Sequence, residues 1–283
     1  LKNKIYIIGL LCTLQSVSVF SWNALGHRLV AQIAYEHTTP HARQAFNQYN
    51  TAMDIIYKPQ GWVDAAVWLD ILRYQDVNWF VTMHYIDFPF SNDDSSLPSP
   101  QEINALWAIE KARNLLLNKY ATNFDKGIAF RVILHVVGDI HQPLHAATRV
   151  SSHFPEGDRG GNLVSLRGTR IAKNLHAYWD RGGGLLITKR RDSQAQIAKR
   201  AANIERRWPC LLTDIEVTPE LWAKESHVLA VNTAYKALPI DNTPDTRYQR
   251  LTKKTAERQI ALAGCRLSAL LNQIDEALAR KKI

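Results

Sequence analysis

Histidine and aspartate recur at the four-residue spacing that sets two side chains on one face of a helix: His135 with Asp139, and His176 with Asp180. An imidazole and a carboxylate placed in this way can chelate a cation. His135 lies in the apolar run ILHVV, where a buried ring needs a polar partner, and a metal ion is one such partner. The stretch HVVGDIHQPLH adds His141 and His145, and upstream stand His27, Asp64 in WVDAAV and His84 in MHYID. His27, Asp64, His84, His135, Asp139, His145, His176 and Asp180 are too many donors for one tetrahedral ion, so the pattern points to a cluster. Neutral imidazoles with carboxylates suit Zn²⁺, bound at about 2.0–2.2 Å, and leave Mn²⁺ or Fe²⁺ open.

The elements that must position these donors read as helices. Apolar residues recur at helical spacing over residues 26–36, 62–72, 103–120, 124–141 and 251–280, with Asp125 placed to cap or charge the start of the fourth and Pro143 to stop it. The one strand signal covers residues 162–172, where Arg167-Gly168-Thr169 would turn a short hairpin. Residues 90–100 and 151–161, rich in Ser, Asp, Pro and Gly, read as surface loops. The expected architecture is a single mainly α domain with a small β-hairpin. His141 reads as an outer partner of the metal donors or a structural group. His37, His41 and His227 read as surface or capping residues, and Trp62, Trp107, Trp179 and Trp208 as core.

With 283 residues, 46% hydrophobic and 22% charged, the chain is neither disordered nor collagen-like, and its three cysteines do not make a disulfide scaffold. A net charge of +9 suits polyanionic partners without identifying one. Residues 1–21 carry Lys2 and Lys4, an apolar run too short to span a bilayer, and Val19-Phe20-Ser21 at a plausible cleavage site. We read them as a signal peptide preceding a domain over residues 22–283, with a buried N-terminal helix as the alternative. Export to the periplasm or the exterior, with no membrane insertion after cleavage, is the expectation. It would leave Cys210 and Cys265, which either close a disulfide or remain buried thiols.

WNALGH (residues 22–27), WVD (62–64), MHYID (83–87), HVVGDIHQPLH (135–145), GGN (160–162) and NLHAYWD (174–180) resemble, in order, the motifs of the S1/P1 nuclease family of zinc-dependent endonucleases. LAGCRLSALLN (262–272) resembles the family's closing helix, so the likeness spans nearly all of the chain after residue 21. The resemblance implies a helical fold of the phospholipase C/P1 nuclease type and three Zn²⁺ per chain. Asp64, His84, His135 and Asp139 would hold the first. Asp139 would bridge to a second, held also by His27 and by the free amine and carbonyl of Trp22. His145, His176 and Asp180 would hold the third.

The implied reaction is hydrolysis of single-stranded DNA and RNA to 5′-phosphorylated products by a metal-activated hydroxide oriented by Asp64, with 3′-nucleotidase activity as a companion. Asn162 would hydrogen-bond the phosphate, Tyr85 would stack on a base and Asp87 would bind its edge. Some family members carry a basic residue one helical turn after the first-zinc aspartate. Counted from Asp64 that position is Val67, with Arg73 or Lys58 as replacements. Nucleic acid and nucleotides are the expected partners, with no obligate protein partner evident. The alternative is a zinc phospholipase C, similar in fold and in its N-terminal Trp ligand.

Overall fold

Thr122 and Asp125 start the helix on which the site depends. The Thr122 hydroxyl accepts from the Asp125 N–H at 3.1 Å, and the Asp125 carboxylate accepts from the Thr122 N–H at 3.0 Å. This reciprocal cap satisfies two donors that a helix start otherwise leaves unpaired. It begins the sixth of ten α-helices in a computed structural model that describes residues 22–75, 77–211 and 215–280. In chain order the elements are α1 (Ala24–His37), α2 (Pro40–Ala52), α3 (Trp62–Ala65), α4 (Trp68–Tyr74), β1 (Pro89–Ser91), α5 (Ala105–Leu117), α6 (Asn123–Ile140), β2 (Thr148–Val150), α7 (Leu175–Asp180), α8 (Gln194–Glu205), α9 (Pro219–Leu229) and α10 (Thr246–Arg280). The fold is mainly α, as the periodicity indicates. The segment read as a signal peptide lies outside the described residues. Among those described, no helix is long and apolar enough to cross a membrane.

Helices α1, α6 and α10 meet at the centre, burying Val30, Ile33, Phe130, Val137, Leu267 and Leu271. Two glycines allow that approach. A Cβ on Gly264 of α10 would lie 2.5 Å from the Ile33 Cβ, and one on Gly138 of α6 would lie 2.9 Å from the His27 Nδ1. Burial of the apolar stripes stabilises the packing by roughly 25 cal/mol per Å² of apolar surface. A disulfide between Cys210 and Cys265 ties the segment after α8 to α10, with Cα atoms 5.4 Å apart. That resolves the choice between disulfide and thiols.

Two local expectations change. Residues 62–72 do not form one helix: α3 ends at Ala65, α4 starts at Trp68, and Val67 between them has φ −101° and ψ 6°. The small β element is also elsewhere than expected. β1 pairs in parallel with β2, Pro89 opposite Thr148, whereas the hairpin expected in 162–172 is reduced to an isolated antiparallel bridge between Ser165 and Asn174. Its backbone is engaged by another segment, since Arg167 N–H donates to the Asn242 carbonyl at 3.0 Å.

Candidate metal centre

Helix α6 carries His135 and Asp139 on one buried face, and three other segments bring donors to it. His27 comes from α1, Asp70 from α4, and His84 from a 3₁₀ turn, Val81–His84. Two groups result, His27–His135–Asp139 and Asp70–His84–His135, each with ligand atoms within 4.8 Å of one another and all buried. Asp139 faces both ways. Its Oδ2 lies 3.0 Å from His84 Nδ1 and 3.3 Å from His135 Nε2, while its Oδ1 lies 3.3 Å from His27 Nε2. The His27 and His135 rings stack at 3.9 Å.

A third buried group, His145–His176–Asp180, is assembled from the 3₁₀ turn Pro143–Ala146 and from α7. Asn174 caps α7 by accepting from Ala177 N–H at 2.8 Å, which sets His176 and Asp180 on the same face. Asn23, next to Trp22, donates its N–H to the Asp180 carbonyl at 3.1 Å. The fully buried Trp22 is thus held close to the end of α7.

The donor chemistry fits cations. His145 directs Nδ1 to the His84 carbonyl at 2.7 Å and His176 directs Nδ1 to the Gly160 carbonyl at 2.8 Å, so each ring donates there and keeps its Nε2 lone pair inward. Those two Nε2 atoms lie 3.2 Å apart, with Asp180 Oδ1 3.9 and 3.6 Å away. Two lone pairs facing each other beside a carboxylate are stabilised by a positive ion between them. His135 is oriented in the same manner, Nδ1 donating to the Ala66 carbonyl at 2.7 Å. Asp180 Oδ2 and His84 Nε2 are buried with no hydrogen-bond partner among the described residues.

The electrostatics express the same demand. Burial holds the His27 ring below its usual pKa, with His135 adding to the effect. Burial opposes charge on His135 too, but Asp139 and Asp70 outweigh it and raise the imidazole to about 9. Asp139 is driven the other way: burial resists its ionisation, and His135 with the surrounding imidazoles holds it well below the carboxylate range. Burial raises Asp180 well above that range despite the Gln142 amide, which donates to Oδ1 at 2.8 Å.

Asp64, expected among the first-zinc donors, is placed elsewhere. Its side chain is 39% exposed and pairs with Arg28 Nε at 2.8 Å and Arg191 Nη2 at 3.0 Å. Asp70, not singled out from sequence, occupies the expected place, its Oδ1 3.7 Å from His135 Nε2. The break at Ala66–Val67 separates the two: α3 presents Asp64 outward and α4 presents Asp70 inward. Arg73 then stands one helical turn after the inward aspartate, the place that counting from Asp64 gives to Val67. The repeat of an apolar-flanked W-x-D motif, WVD and WLD, is the signal that could have raised Asp70 as a candidate.

Tyr85 and Asp87 line a cavity of about 310 Å³ together with Leu144, Arg159 and His176, so the expected base-binding pair and the third donor group share one opening. Burial, then the nearby Asp158, raises Asp87 to about 7. Asp158 organises the adjoining loop by accepting from Gly161 N–H at 3.0 Å and from Tyr235 Oη–H at 2.8 Å. Asn162, buried in that loop, donates Nδ2–H to the Arg159 carbonyl at 2.8 Å. His141 belongs to none of the three groups. It donates Nδ1–H to the Val137 carbonyl and accepts from Arg266 at 3.1 Å, and burial with the Arg266 charge lowers it to about 3. His37 pairs with Glu205, His41 with Asp275, and His227 meets the Ala146 carbonyl.

The close fit of Gly138 against His27 gives a test. Gly138→Ala gains about 1 kcal/mol of helix propensity yet must displace the His27 ring by several tenths of an ångström. The expected result is a chain of near-parental helicity with lowered metal content by elemental analysis. Unchanged content would show that the ring position is not critical.

The sequence profile of the S1/P1 Nuclease family matches residues 22–276. Endonuclease 1 of Arabidopsis thaliana is 26% identical, with 97% of this chain and 95% of the relative covered. Nuclease S1 of Aspergillus oryzae is 25% identical, with 90% and 92% covered, and Nuclease P1 of Penicillium citrinum 24%, with 89% and 97% covered.

Proposed function

The chain belongs to the S1/P1 nuclease family, hydrolases of phosphodiester bonds, and from that premise we propose that it is an exported zinc-dependent endonuclease of single-stranded DNA and RNA. The observation that carries this reading is the set of three buried His/Asp groups, the third opening onto the Tyr85–Asp87 cavity. In the proposal Asp70, His84, His135 and Asp139 hold one Zn²⁺. Asp139, His27 and the amine and carbonyl of Trp22 hold a second, and His145, His176 and Asp180 a third. Zinc there supplies Lewis acidity, activating water near neutral pH and stabilising charge on phosphate.

The remaining steps belong to the chain's own residues. Tyr85 stacks on an unpaired base, which a duplex would withhold, and Asp87 binds its edge. Arg73 and Asn162 orient the phosphate. The products carry 5′-phosphates, and removal of 3′-phosphates from nucleotides uses the same centre. Cleavage before Trp22 frees the α-amine to act as a ligand. The start of the family match at residue 22 supports that boundary.

A substrate panel tests the reading. Single-stranded DNA and RNA should be degraded faster than duplex, with loss of activity on chelation and recovery with zinc. Hydrolysis of phosphatidylcholine without cleavage of nucleic acid would replace the proposal with a lipid phosphodiesterase.

Asp87 provides a pH test. Its folded pKa lies above the usual carboxylate value, so the folded chain keeps the proton longer and the contribution of this group to stability falls between roughly pH 4 and 7. Asp87→Asn should therefore melt above the parent at about pH 8 and with it at about pH 4, in metal-free protein. Equal midpoints at both pH values would refute the shift.

A further inference from the structure

A second groove, sharing no lining residue with the Tyr85–Asp87 cavity, has a volume of about 660 Å³ and is lined by Arg28, Arg170, Arg181 and Arg191 together with Asn23 and Asp192. Asn23, Arg28 and Arg181 each directly follow a residue placed at the metal centre: Trp22, His27 and Asp180. The groove is therefore built partly on α1 and on the end of α7, which also carry His27, His176 and Asp180. Acidic residues in and beside it neutralise only part of its charge. Asp64 is divided between Arg28 and Arg191, and Asp192 lies 2.6 Å from Arg200. Lys189 and Arg190, both exposed, precede Arg191 and add charge beside it.

We propose that this groove binds the phosphodiester backbone of a single nucleic-acid strand outside the catalytic cavity, anchoring long substrates. Guanidinium groups match phosphate oxygens in a two-pronged geometry, and a concave arginine-lined channel fits a flexible polyanion better than it fits a flat bilayer. Long strands then gain affinity that a dinucleotide, occupying only the catalytic cavity, does not. The identity of the strand rests on the nuclease reading; the anion site itself does not.

The test uses Arg170→Ala/Arg191→Ala in metal-loaded protein, since both side chains are exposed and neither is placed in the catalytic machinery. Anisotropy with a labelled phosphorothioate single strand should show dissociation constants about tenfold higher than the parent's. The salt slope should be shallower by about 1.4, from about 0.7 per lost phosphate contact. Dinucleotide turnover should be unchanged. Parental strand affinity in the variant, equal loss of dinucleotide turnover, or no strand binding by the parent would each overturn the proposal. So would loss of binding to phosphatidylglycerol vesicles with strand binding kept, which would assign the groove to a membrane. A parent that turns over neither strand nor dinucleotide would count against the nuclease reading, while the anisotropy result would still decide the groove.

Discussion

Asp70→Ala is expected to lower kcat/KM on single-stranded nucleic acid by about 10³-fold or more and to reduce the bound zinc, whereas Asp64→Asn should keep its zinc. Asp70 is buried and faces His135, so its removal takes one of two negative donors from a group whose histidines, His84 and His135, are neutral when they bind metal. Asp64 sits on the outside of α3 with two arginines. Its replacement strips the carboxylate from the largely buried Arg28 and should cost about 1–3 kcal/mol of stability. Elemental analysis and thermal melting of the two variants separate these effects. Zinc loss in Asp64→Asn with retention in Asp70→Ala would restore the assignment made from sequence.

The second large effect concerns the disulfide. Cys210→Ser/Cys265→Ser opens a loop of sequence separation 55, which in the chain-entropy account costs about 4 kcal/mol. For a chain of this size the midpoint should fall by roughly 8–16 °C. Cys265 is buried on α10 beside Arg266, whose guanidinium reaches His141 just beyond Asp139, so α10 and the end of α6 should loosen together. Differential scanning calorimetry checks the shift. A midpoint within 2 °C of the parent's, by this order-of-magnitude scale, would mean that the bridge adds little to what packing already holds.

Helix α6 is legible because its apolar face, its acidic start and its proline stop agree: the pattern predicts a helix over residues 124–141 and Asn123–Ile140 are helical. Local chemistry decided that element. The i, i+4 pairs on α6 and α7 were legible for the same reason. Asp70 was not, because helical spacing continues unbroken through 62–72 and gives no sign of the break at Ala66–Val67. Only packing of α4 against α6 shows which aspartate turns inward. The parallel pairing of β1 with β2 was hidden for a related reason, since its strands are three residues each and lie far apart in sequence. The hairpin signal in 162–172 failed because alternation cannot anticipate that Asn242 takes up the Arg167 amide.

The hydrogen bonds that fix His135, His145 and His176 through Nδ1 to the carbonyls of Ala66, His84 and Gly160 have a consequence for metal exchange. The rotamer freedom of these rings is spent when the chain folds, so an arriving ion has little left to order. Removal of an ion would then leave these rings in place, so metal taken out by chelation should return without the chain being unfolded and refolded.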